Sequence, residues 1–122
     1  MKFKSMLLAA LCGVVATVSG QMAVQMSPAA EKFMQDMETS MKRMDHDMAA
    51  APMTGDVDRD FAAMMIPHHQ GAIDMAKGEL MYGKDPIMRR LAQEILADQQ
   101  SEIELMNRWL KKAATTPSTK EN

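Results

Sequence analysis

The run FAAMMIPHHQGAIDMAKGELM, from Phe61 to Met81, sets the fold class and holds the most informative side chains of this 122-residue chain. Four residues make about one helical turn, so Met64 lies beneath His68 and Met65 beneath His69, while Met75 returns to the His68 face two turns on. A helix here presents two parallel columns of thioether and imidazole. Those donors together suit a soft or borderline metal, Cu(I) first, because hard ions prefer oxygen. Ordinary packing is the competing reading, since methionines at helical spacing fill cores more often than they bind metals. The adjacent histidines inside the columns favour the ligand reading.

Pro67 interrupts this helix. It leaves the Ala63 carbonyl without its usual donor, so a bend or break just before the histidine pair is expected, at about 3 kcal/mol in an ordinary helix. The kink serves either a site or the fitting of the helix around its neighbours. Gly71 and Gly78 permit close approach of another backbone. Asp56, Asp58 and Asp60 precede the apolar pattern, where the helix dipole favours acids, which accounts for them as caps rather than ligands. The second helix is thus expected from about Val57 to Tyr82, ending at Gly83.

Working outward, Ala51 to Gly55 reads as a turn, and Ser27-Pro28 as a helix start, a side-chain cap followed by a proline in the first turn. Between them Phe33, Met34, Met37, Met41, Met44 and Met48 advance mainly by threes and fours, a sulfur-rich stripe on a first helix of about residues 28–50. His46 sits about 200° round from Met44, and solvation explains it better than ligation. Asp85-Pro86 repeats the start signal, and apolar positions from Ile87 to Leu110 carry a third helix to about Lys112. Asp98, Gln99 and Glu102 interrupt its seam. Either they face water because the seam drifts, the preferred reading, or they point at a polar pocket between helices. No strand pattern is found. Short connections make neighbours antiparallel, so the expected fold is all-α, an up-down antiparallel bundle of three main helices with the second kinked at Pro67. The stripe of the first helix and the columns of the second should meet inside it.

Composition narrows the function. Lys2 and Lys4, the apolar run Met6 to Val18 and the small residues Val18, Ser19 and Gly20 read as a secretory signal peptide over residues 1–20. One helical-bundle domain, 21–114, and a disordered tail, 115–122, follow. Cys12, the sole cysteine, falls inside the signal, so the exported chain is expected to lack disulfides, zinc-thiolate sites and iron–sulfur ligation. Removing residues 1–20 takes two lysines and no acids, changing 14 basic against 16 acidic residues to 12 against 16, a net charge of −4. An acidic chain with one Trp and one Tyr and no basic cluster argues against nucleic acid. From Gln21 onward 14 Met outnumber 5 Leu, 5 Ile and 2 Val combined. Leu, Ile and Val specify a core better, so this bias points to soft-metal coordination, an adaptable binding surface or sacrificial thioethers.

The residues Asp58, Phe61, Met65, Ile66, Pro67, His68, His69, Gln70, Ala72, Ile73, Met75 and Ala76 form one block. With Ile95, Gln99, Glu102, Ile103, Met106, Trp109 and Leu110 they resemble the bacterial family known as domain of unknown function number three hundred and five. That family includes CopM-like periplasmic copper-binding proteins. The resemblance spans about Pro28 to Lys112 and implies a ferritin-like helical bundle, export to the periplasm and, for some members, copper binding and resistance. Position by position it points to His68 and His69, then Met64, Met65 and Met75. Di-iron chemistry does not follow. Such sites need a carboxylate three residues before a histidine, and Met65 and Ile66 stand at those places here.

The expected function is a non-enzymatic periplasmic, or secreted, copper-binding protein that sequesters or hands on Cu(I), with Cu(II) possible. The metal set is His68 and His69 as anchors with Met41, Met44, Met48, Met64, Met65 and Met75, in the groove between the first two helices. Another periplasmic copper carrier or exporter is the expected partner; nucleic acid is not, nor a membrane once the signal is removed. The alternative is a Met-rich helical binding or chaperone module without metal. The sequence carries no nucleophile elbow, paired glycosidase-like carboxylates or phosphate loop, so no enzymatic activity is expected.

Overall fold

A computed structural model describes residues 25–115; the expected leader over residues 1–20 and the tail beyond Thr115 lie outside them. Ser27 caps α1 (Pro28–Ala49), its hydroxyl accepting the Ala30 N–H at 3.2 Å, and Pro28 occupies the first turn. Asp56 caps α2 (Val57–Tyr82) in the same way, accepting the Arg59 N–H at 2.9 Å. Asp85 caps α3 (Pro86–Thr115), accepting from the Ile87 and Met88 N–H groups at 2.9 and 3.0 Å. Among the described residues there is no strand.

The turn between α1 and α2 is held by one carboxylate. Asp60 accepts the Thr54 and Gly55 N–H groups at 2.7 and 2.9 Å and the Thr54 hydroxyl at 2.8 Å. The Thr54 N–H is the main cause that holds its carboxyl below the ordinary range. Gly55, at φ 84°, is the one described residue with positive φ, and glycine takes that conformation without steric cost.

α2 runs through Pro67 without a break. It is also the centre of the molecule: α1 and α3 each pack on α2, and their backbones do not touch each other. Near one end of α1, Asp36 accepts the Tyr82 hydroxyl at 2.8 Å while Phe33 meets the Tyr82 ring edge-on, 6.3 Å between centroids. The Asp36 carboxyl is held below its usual range by hydrogen bonds from Lys32 and then Tyr82. On the other side, Arg59 at the start of α2 donates to the Ala113 carbonyl at the end of α3 at 2.5 Å. Arg89 at the start of α3 donates back to the Leu80 and Gly83 carbonyls at 2.5 and 3.0 Å. Both pairs are therefore antiparallel.

Small residues make these contacts. The buried positions are Ala62, Gly71, Ile73, Ala76 and Gly78 on α2 and Ala92 and Ile103 on α3, with none on α1. A Cβ added at Gly71 would stand 2.9 Å from the Met44 Cβ, whereas one at Gly78 would meet Phe33 at an ordinary 3.6 Å. Among the described residues no large side chain is fully buried. The bundle is one helix thick, and α2 has two free edges. One is polar, with Asp74 receiving Arg43 at 3.2 Å, Gln70 at 3.2 Å and Lys77 at 3.3 Å. The opposite edge carries Phe61, His68, Ala72 and Met75, set by the 100° step of the helix.

Candidate metal centre

The two histidines diverge because they are adjacent on a helix, about 100° apart. Their rings meet edge-on, with centroids 5.8 Å apart and planes at 63°. His68 is exposed on the apolar edge of α2. His69 lies two residues before Gly71, about 200° round from the face that touches α1, and so turns toward α3. There its Nε2 stands 2.7 Å from Glu102 Oε2, and its side chain is 15% exposed. The expected placement of both imidazoles in the groove between α1 and α2 thus becomes a division, with His69 on the α3 side.

Glu102 fixes the chemistry of the His69 ring. A carboxylate accepts, so Nε2 carries a proton, and in the neutral ring Nδ1 is then the bare nitrogen with a free lone pair. That Nδ1 is buried and has no hydrogen-bond partner, and the same is true of Gln99 Oε1 on α3. Buried polar atoms are nearly always satisfied, so each of these two calls for a further partner, an ordered water or an ion. Gln99 therefore follows the second of the two readings of the interrupted seam, a polar environment between helices, while Asp98 and Glu102 are exposed, as the preferred reading had it, Glu102 nevertheless reaching across to His69. The expected metal set misses Glu102; the signal that could have found it is a carboxylate interrupting the apolar seam of the third helix, but the sequence does not say which helix the histidines face.

The sulfur set is divided in the same way. Met75 stands on the apolar edge and lines a groove with Met88, Leu91 and Ile95 of α3, whereas Met64, seven residues before Gly71, stands on the α2 face that meets α1. There Met44 packs so closely that its Sδ would lie 2.7 Å from a Cβ at Gly71. Met48, one turn beyond Met44, is half-buried and Met41 is exposed. Met65, one turn before His69, is half-buried on the α3 side. Among the described residues no three His, Cys, Asp or Glu side chains gather closely enough to hold an ion by themselves. A metal held here draws on thioethers as well as imidazole. His46 is exposed beside Asp47, at 2.9 Å, away from both columns. Asp56 and Asp60 are occupied as cap and turn ligand, as expected. Among the described residues no helix is long and apolar enough to cross a membrane.

The family model described as Domain of unknown function (DUF305) matches residues 8–110 of the 122. An uncharacterized protein, L153, of Acanthamoeba polyphaga mimivirus is 44% identical over 50 residues, which cover 41% of this chain and 33% of that protein. The match thus spans about a third of the viral protein's length.

Proposed function

We propose that this chain, which belongs to the DUF305 family, is a periplasmic copper-binding protein that takes Cu(I) on imidazole and thioether donors and sequesters it or hands it on. One observation carries the reading: His69 Nδ1, the bare nitrogen of the neutral ring whose Nε2–H faces Glu102, is buried and unpartnered. A histidine that ligates a metal through one nitrogen commonly gives its other N–H to a carboxylate, which fixes ring and tautomer. Met65 one turn before His69 and Met64 one turn before His68, with Met75, Met44, Met48 and Met41, would add soft donors that suit Cu(I) over hard ions. Cu(II) would shift weight to the imidazoles. Several interchangeable thioethers favour transfer, because one can leave while others hold.

An anaerobic competition titration with a chromogenic Cu(I) chelator, with Zn(II) and Cu(II) in parallel, tests this. Tight Cu(I) uptake that is lost in the His68→Ala, His69→Ala double variant is the expected result. Tight Zn(II) uptake with negligible Cu(I) uptake, or Cu(I) uptake unchanged by the double substitution, overturns it. Because a ligand bound only by the folded state stabilises it, Cu(I) should also raise the melting temperature.

A further inference from the structure

The apolar edge of α2 is the middle of a larger surface. Phe61, Leu105 and Trp109 line a groove between α2 and α3 at one end, and Met75, Met88, Leu91 and Ile95 line another toward the opposite end. Met34 and Met41 of α1 border the same side, at the positions that the helical step turns away from the Arg43–Asp74 pair. Seven of the exposed large apolar side chains, Met34, Met41, Phe61, Met88, Leu91, Leu105 and Trp109, therefore stand on this one side. Phe61 is 60% and Leu105 59% exposed. Monomers rarely leave apolar patches larger than a few hundred Å² open, and aromatic and methionine side chains are the ones that interface centres favour.

We infer that this surface is the interface of a homodimer, two copies packing face to face through Phe61, Leu105, Trp109, Met88, Leu91 and the outer methionines of α1. Its size fits. The 26 residues of α2 extend ~39 Å, and three helices at 8–10 Å spacing make a layer ~30 Å wide, a whole face of ~1,000 Å² in which Asp58, His68, Glu79 and Glu102 stand among the apolar side chains. A stable pair needs about 800 Å² from each partner. The occupant follows from the core: a fold with no fully buried large side chain among its described residues needs this surface covered in every molecule, and only the chain itself is always present at its own concentration. The inference does not depend on copper.

Sedimentation equilibrium of the full chain at tens of micromolar should return the mass of two chains. Leu105→Glu and Trp109→Glu should return one, with helicity by circular dichroism retained, while Met81→Glu on the other side of α2 should still return two. Trp109 is the sole tryptophan, so its emission should move to longer wavelength as dilution lowers the mass, a readout that needs no variant. A one-chain mass in the undiluted sample, whatever covers the surface instead, overturns the inference. So does a two-chain mass that dissociates without moving the Trp109 emission.

Discussion

Two glycines on one helix face differ by less than an ångström of clearance and should respond oppositely to alanine. At Gly71 the new Cβ would meet the Met44 Cβ at 2.9 Å, near the α1 backbone, so the helices must part. Overpacking of that kind costs about 1–3 kcal/mol, more than the ~1 kcal/mol that alanine gains over glycine within a helix, so Gly71→Ala should lower stability in urea unfolding. At Gly78 the nearest atoms lie at 3.6 Å and Gly78→Ala should raise stability by up to ~1 kcal/mol. Asp60 sets a pH dependence. Its carboxyl titrates below the ordinary value because the Thr54 N–H stabilises the charged form. It therefore stabilises the fold fully above its unfolded-state pKa, and that contribution is lost as pH falls through the lowered folded value. Asp60→Asn should melt below the parent at pH 7, and the gap should close in melts recorded at successively lower pH. Glu102→Ala should release the His69 tautomer, seen in nitrogen NMR as a loss of the Nε2–H form. It should also weaken Cu(I) binding roughly 10–100-fold if His69 ligates.

At the scale of helices, starts and stops were legible because each is a local matter. Ser27-Pro28 and Asp85-Pro86 are complete signals within two residues, and the bounds of α2 follow from Asp56 and Gly83. α3 continues three residues past Lys112, where nothing in the chain forbids another turn. Pro67 does not break α2, which continues through it with packing on both flanks. The end of α2 depends on a remote side chain instead. Arg89 supplies donors to the Leu80 and Gly83 carbonyls, a distance of six to nine residues that no cap motif encodes. Arg89→Met should leave those part-buried acceptors short of donors and cost about 1–3 kcal/mol in urea unfolding.

For the whole molecule, the number of helices and their antiparallel order could be read from turn lengths, but which faces meet could not. Periodicity shows that Met44 and Met64 belong to apolar stripes; only the placement of α2 between its neighbours turns Met64 toward α1 and His69 toward α3. The same placement left Met34, Met41 and Trp109 uncovered, although each lies on a stripe that reads as core. Amide exchange checks the arrangement. The buried middle of α2, around Gly71, Ile73 and Ala76, should exchange most slowly, and α1, which has no buried residue, fastest.

Because the outer helices have no backbone contact with each other, either one can lift from α2 while the other remains seated. Such a three-leaf molecule has two unfastenings rather than one. Lifting the first exposes Gly71 and the thioethers beside it with the His69 side undisturbed, and lifting the last does the reverse. A captured ion could therefore be surrendered from one flank while the opposite flank keeps its grip.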